Sequence, residues 1–316
     1  MAHPVLELLR TRAAGGHHDD GARLALVLEG GGMRGVVSSG MADALQERGL
    51  SDCFDLVVGT SAGALNGAAF LAGVARGCTD NYCDADVVKR YIAPRRLLIG
   101  RAAVDVAYTL DSSSERLPEE RHQRTVDAAA LHCVALDVGS ARPEVLSDLR
   151  TVDELKAALL ATSRLPWLGG DPVEFRGRRW LDGGLAAPIP VDEALALGAT
   201  HVLVLMTRPE GVPRTPAGGL VERLIERRLR RLNPDLVQAA RDRFAVYEQV
   251  VERITRWSTA PSADGGPHVL GVRLPAGTAP VGQLERTPEV LAAAAQAGRD
   301  RVGELDPGNL LRDAAA

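Results

Sequence analysis

LVVGTSAGALNG, residues 56–67, runs an apolar stretch into a small-residue turn that holds one serine between two glycines, then resumes an apolar pattern at helical spacing. Strand-like DLVV giving way to helix-like ALNGAAFLAG reads as a strand-turn-helix unit, the building block of a sheet covered by helices. Within the turn, Gly59, Ser61 and Gly63 satisfy G-x-S-x-G. A nucleophile elbow needs that pattern. Its serine occupies a strained turn that projects the hydroxyl, and side chains at the flanking positions would strike the strand or the helix. The helix N-terminus behind it favours developing negative charge. A plainer role also fits Ser61, because serine is a favoured helix N-cap.

Outward from this unit, short apolar runs alternate with helical patterns along the whole chain. Strands are expected at Leu24–Glu29, Asp55–Val58, Leu131–Asp137, Arg178–Leu181, His201–Met206 and His268–Leu274. Helices are expected at Gly35–Gln46, Ala62–Ala75, Val152–Ser163, Val191–Leu197, Leu220–Leu232, Pro234–Trp257 and Pro288–Val302. No internal repeat is visible. The Pro/Gly/Thr-rich stretch Pro209–Gly219 reads as the joint to a helical extension. Residues Gly77–Thr125 carry no chemistry that the pattern names.

A second glycine cluster follows the first expected strand. LALVLEGGGMRGVVSSGMADAL, residues 24–45, sets Gly30, Gly31, Gly32 and Gly35 just before an amphipathic helix, so successive backbone N–H groups can point into one small space. Such a concavity binds an anion. Gly30, Gly32 and Gly35 also fit G-x-G-x-x-G, the dinucleotide fingerprint. That site would want an acidic residue at the end of the second strand, yet here the second strand ends in VVGTSAG, with Asp55 at its beginning. An oxyanion hole beside a nucleophile accounts for both clusters.

A serine hydroxyl also needs a base. Of the seven histidines, His201 and His268 begin apolar strands, His3, His17 and His18 lie near the N-terminus, and His122 and His132 flank an amphipathic stretch. Asp182 has better surroundings. In GRRWLDGGLAAPIP, residues 177–190, it ends a short strand, and Gly183 and Gly184 after it let another backbone approach closely. A carboxylate held in an apolar pocket is more basic than one in water. An Asp-Gly turn is the plain alternative.

Composition sets the outer bounds. The chain has 316 residues, 46% of them hydrophobic, and a formal charge of −4, which offers no nucleic-acid footprint. Cys53, Cys78, Cys83 and Cys133 lack the C-x-x-C pairs of a zinc site and the density of a disulfide scaffold. They read as free thiols in a reducing cytoplasm. Glu7, Arg10 and Arg12 interrupt the N-terminus too early for a signal peptide, and no run approaches the roughly 20 apolar residues of a spanning helix. The His/Asp cluster within Gly15–Gly21 reads as a metal ligand set or a solvated linker. Glu222–Arg231 holds five arginines against two glutamates. That stretch either rests on an anionic lipid surface or is a solvated face whose Leu224, Ile225, Leu229 and Leu232 pack on the core.

In this order and separation, GGGMRG, GTSAG and DGG resemble the glycine-rich, elbow and aspartate motifs of the patatin-like phospholipase family. LPWLGGDPVEFRGRRW, residues 165–180, resembles that family's approach to its aspartate. The resemblance covers Leu24–Pro209. It implies a three-layer α/β/α fold with a central, mostly parallel sheet: a tail over 1–23, a catalytic core over 24–210, and a helical extension with one further strand over 211–316. It implies Ser61 as nucleophile and Asp182 as general base of a Ser–Asp dyad, without a cofactor or a metal. The amides around Gly31, Gly32 and Met33, in the loop Gly30–Gly35, would form the oxyanion hole, and Arg34 matches the motif's basic position. The implied substrate is an acyl ester lipid, met in the cytoplasm or at a membrane surface, and nucleic acid is not an expected partner. A nucleotide-binding protein would explain one motif. A non-catalytic scaffold would explain the glycines but leave Ser61 and Asp182 as coincidence.

Overall fold

The five residues LALVL of β1 (Leu24–Leu28) are all buried, as a strand covered on both faces requires. Leu24, Leu26 and Leu28 face one helical layer, while Ala25 and Val27 face the other. The computed structural model describes residues 3–305 apart from 16–18, 100, 111–118, 129, 167, 216–217 and 261–265. Its sheet continues with β2 (Leu56–Thr60), β3 (Leu131–Asp137), β4 (Pro143–Leu146), β5 (Val173–Phe175), β6 (Arg178–Asp182), β7 (His201–Leu205) and β8 (His268–Val272). The spatial order is β5-β6-β3-β2-β1-β7-β8, with β4 also on β3. The run β3-β2-β1-β7-β8 is parallel, and β4, β5 and β6 are antiparallel to their neighbours.

Helices α1 (Pro4–Ala13), α2 (Val36–Glu47), α3 (Ala62–Leu71), α4 (Ala75–Cys83), α5 (Ala85–Tyr91), α6 (Val106–Thr109), α7 (Glu119–Ala128), α8 (Val152–Thr162), α9 (Val191–Ala196), α10 (Gly219–Leu232), α11 (Asp235–Thr259) and α12 (Pro288–Leu305) complete the chain. Residues of α2, α3, α8 and α12 share the core on one side of the sheet. Those of α9, α10 and α11 form the apolar clusters on the other. This is the three-layer arrangement the sequence implied. The parallel strands end together along one edge, where an open α/β sheet forms its crevice.

Three expectations need correction. Within the expected tail, α1 packs on the core: it buries Val5 and Leu9, and Arg12, 5% exposed, bonds Asp20 at 2.8 Å and Asp55 at 2.7 Å. His17 and His18, weighed as metal ligands, lie outside the described residues. The helix expected over Ala62–Ala75 is two helices, because Gly73 takes φ 74° and closes α3. Leu224 does not pack on the core; it is 57% exposed, whereas Ile225 and Leu229 are buried.

Candidate active site

Ser61 stands between the end of β2 and the start of α3 with φ 54° and ψ −126°. A non-glycine residue in the left-handed region costs on the order of 1–3 kcal/mol and persists only where its surroundings fix it. Here the Ser61 amide donates to Thr162 Oγ1 at 2.9 Å, and the Thr162 hydroxyl donates in turn to the Val134 carbonyl. The amides of Ala64 and Leu65 donate to the Ser61 carbonyl. A side chain on Gly63 would collide with the Leu28 carbonyl oxygen, so the turn can be this tight only with glycine there. Gly59 lies within β2 against the first turn of α3. The N-cap alternative does not hold, because the Ser61 side chain makes no capping bond. Its Oγ instead donates to Asp182 Oδ2 at 2.7 Å.

Sheet register brings these residues together. Thr60 pairs with Val134 on one side of β3, and Asp182 pairs with Ala135 on the other, so the end of β6 meets the elbow at one level. Gly183 packs so near the Val134 carbonyl that a Cβ there would clash with it. The Gly184 amide donates to Asp182 Oδ1 at 2.7 Å, which leaves Oδ2 for Ser61. Burial pushes the Asp182 carboxyl up to about 6, against the opposing effects of the Ser61 hydroxyl, the Gly184 amide and the charge of Arg214. Such a group is ionised at neutral pH yet remains basic enough to take a proton.

The glycine-rich loop lies across from this pair. The Gly30 amide donates to the Pro188 carbonyl at 2.9 Å, and Gly32 takes φ 58° as the chain turns into a short 3₁₀ segment, Gly32–Gly35. Met33 corrects the sequence expectation: its amide donates to the Gln283 carbonyl at 3.0 Å, which takes it out of the set of open donors. The amides of Gly31 and Gly32 meet no acceptor among the described residues. Asn66 Nδ2 donates to the Gly35 carbonyl at 2.8 Å and fixes the far end of the motif. Arg34, 7% exposed, donates Nε to Thr207 Oγ1 at 3.3 Å. Together these groups form a strained serine, a buried carboxylate on its hydroxyl, and two backbone donors nearby, a set suited to nucleophilic attack on a carbonyl.

A family model for patatin-like phospholipases matches residues 26–195, which includes all three motifs. The chain belongs to that family. "Uncharacterized protein YjjU" of Escherichia coli (strain K12) is 30% identical over 200 residues, covering 61% of this chain and 54% of that protein. "Lysophospholipase nte1" of Aspergillus terreus is 29% identical over 198 residues, 58% of this chain but 12% of its own length. Human "Patatin-like phospholipase domain-containing protein 5" is 25% identical over 181 residues, 55% of this chain and 41% of that one. The chain thus matches about half the length of the first relative and less of the others.

Two cavities adjoin the patatin-like motifs. A polar one of about 100 Å³ is lined by Ser61, Asp182, Gly30, Gly31 and Arg34, and also by Arg208, Arg214, Tyr247 and Gln283. A larger one of about 430 Å³ is mostly apolar and is lined by Met33, Leu65, Ala69, Tyr82, Tyr91 and Leu110 among others. Much of its wall comes from residues 77–125, the stretch whose sequence named no chemistry. Tyr91 stands near enough to Asp182 for that carboxylate, after burial, to help raise its phenol. Among the described residues no histidine lines the polar cavity. His201 and His268 lie with ring centroids 4.7 Å apart, tilted at 42°, at the opposite, N-terminal ends of β7 and β8. Thr162, Gln283, Arg208, Arg214 and Tyr247 were not found from sequence; each is a single polar residue outside any motif.

Proposed function

We propose that this chain is a serine acyl hydrolase of lipid esters, working through a Ser61–Asp182 dyad and an oxyanion hole in the glycine-rich loop. The 2.7 Å bond from the Ser61 hydroxyl to Asp182 at a strained elbow carries the reading. As Ser61 Oγ attacks the ester carbonyl, Asp182 takes its proton, and the carbonyl oxygen becomes an oxyanion facing the Gly31 and Gly32 amides. Each such donor is worth about 3 kcal/mol in comparable acyl-transfer sites. Collapse of the intermediate releases the alcohol with the proton from Asp182 and leaves an acyl-enzyme. Asp182 then takes a proton from water, the hydroxide attacks the acyl carbonyl, and the fatty acid departs as the proton returns to Ser61. The mostly apolar cavity beside Met33 suits the acyl chain.

The substrate class follows from the family and from relatives named as lysophospholipases: phospholipids, lysophospholipids or simpler glycerides. No helix among the described residues is long and apolar enough to cross a membrane. We place the activity in the cytoplasm, against a lipid surface. The test is a fluorophosphonate probe, which labels only an activated serine, together with a short-chain nitrophenyl ester. Ser61→Ala should abolish labelling and hydrolysis. Asp182→Asn should lose most activity, while His201→Ala and His268→Ala each cost far less. Full hydrolysis by Ser61→Ala, or an equal loss at His201, would overturn the dyad.

A further inference from the structure

The polar cavity holds more positive charge than ester hydrolysis at Ser61 uses. Its walls carry Arg34, Arg208, Arg214 and Arg243, against Glu29, Asp182 and Glu222. Arg243 and Glu222 neutralise one another through two bonds of 2.7 Å. Glu29, 1% exposed, accepts the Thr207 amide at 2.6 Å, and Asp182 is committed to Ser61 and Gly184. Arg208 spends one N–H on the Pro213 carbonyl at 3.2 Å, and Arg214 spends one on the Gly184 carbonyl at 3.0 Å. Buried Arg208 Nε, Arg214 Nη1 and the Tyr247 hydroxyl have no hydrogen-bond partner among the described residues, although both guanidinium groups lie over the Tyr247 ring, at 5.7 and 6.0 Å from its centroid.

Buried donors left without a hydrogen bond cost about 1–3 kcal/mol each, and all three belong to residues that line one small cavity, where a ligand drawing them in would recover that cost. Burial and repulsion from Arg243, Arg34 and Arg208 bring Arg214 down to about 10, a penalty that an anion would relieve. Guanidinium groups present planar forks matched to phosphate oxygens. Three separate donors suit a tetrahedral oxyanion better than a two-oxygen carboxylate, and a quaternary ammonium would be repelled. Because Ser61 lines the same cavity of about 100 Å³, the anion must lie only a few bonds from the scissile carbonyl.

We propose that Arg208, Arg214 and Tyr247 form a phosphate subsite that takes the head group of an acyl glycerophosphate while its ester carbonyl sits at Ser61. The proposal rests on the hydrolase reading for the chemistry at Ser61, but the phosphate contacts are separate from it. Arg208 and Arg214 stand outside the segment that matches the family model, so the specificity belongs to the chain beyond β7 rather than to the shared motifs.

The test compares kcat/KM for a short-chain, monomeric 1-acylglycerol 3-phosphate with that for the matching 1-acylglycerol, and titrates the Ser61→Ala protein with the phosphate ester and with inorganic phosphate. Wild type should favour the phosphate ester by about tenfold or more, the range of a charge-assisted hydrogen bond. Arg208→Gln should cut that preference at least about tenfold, mainly through KM, and Arg208→Lys should restore part of it. Tyr247→Phe should lower it by a smaller factor. Hydrolysis of both esters at equal efficiency would overturn the subsite and leave the hydrolase standing. Arg208-dependent binding of the phosphate ester, with neither ester hydrolysed, would keep the subsite and overturn the hydrolase. Inorganic phosphate that binds and inhibits both esters alike, without any preference between them, would assign the cavity to a free anion and overturn the lipid head group.

Discussion

Asp182 is buried, and as the proposed base it must nonetheless carry charge. Burial moves its carboxyl from 3.8 to about 6, so keeping it ionised in the folded protein costs about 3 kcal/mol. The folded value lies above the unfolded one. The associated stability is therefore fully present below about pH 4 and is lost as pH rises through about 6. Asp182→Asn, a neutral side chain of the same shape, should raise stability by about 1–3 kcal/mol at pH 8 and by almost nothing at pH 4, while removing activity. Thermal melts of both proteins across that range check this. A gain equal at both pH values would mean that charge burial is not its source. In the wild type the same group should set an acidic limb near pH 6 in the rate profile, because the proposed base takes a proton only when ionised.

At the scale of elements, the elbow depends on the last residue of α8. Thr162 lies 101 residues from Ser61 in sequence, yet its hydroxyl joins the Ser61 amide to the Val134 carbonyl. Thr162→Val keeps the shape but strands both backbone groups, so it should cost about 2–4 kcal/mol and lower kcat more than KM, whereas Thr162→Ser should keep both bonds. Equal melts and rates for the two variants would refute the role. The same residue marks the limit of what a sequence can reveal. β1, β2, β3 and β7 were legible because strands buried on both faces are continuous apolar runs, and GTSAG and DGG because tight backbone approaches admit only small residues. β4 and β5 are short strands next to the antiparallel edge with partly exposed patterns, and they were missed. α1 was read as tail because Glu7, Arg10 and Arg12 interrupt its apolar run, and Asp20 and Asp55, the partners that let Arg12 be buried beside Val5 and Leu9, cannot be paired with it from sequence alone. Thr162, Arg208, Arg214, Tyr247 and Gln283 reach the site through register and packing, which leave no local signature.

Across the whole molecule charge is segregated: the chain carries −4, but Glu222–Arg231 carries five arginines against two glutamates. The structure sorts these arginines. Ile225 and Leu229 turn α10 onto the core, and Arg228 bonds Asp171 and the Gly170 carbonyl, each at 3.0 Å. Arg223, Arg227 and Arg231 stay on the exposed side, where Leu224 and Val221 are 57% and 42% exposed. Arg227 and Arg231 lie three and seven positions after Leu224, so basic and apolar side chains share one outward face. Such a face suits an anionic lipid interface, which attracts each basic residue by about 1 kcal/mol. Reversing Arg223, Arg227 and Arg231 to glutamate should therefore lower sedimentation with anionic vesicles by roughly a hundredfold in partition at low salt, and by less as salt screens the attraction. Leu224→Ser should weaken binding at high salt as well, because its contribution is apolar area rather than charge. Hydrolysis of a soluble monomeric ester reports whether each variant is folded. If wild-type protein ignores anionic vesicles, or the triple variant binds them as well as wild type, the arginines are a solvated helix face and the proposed lipid contact belongs to another surface.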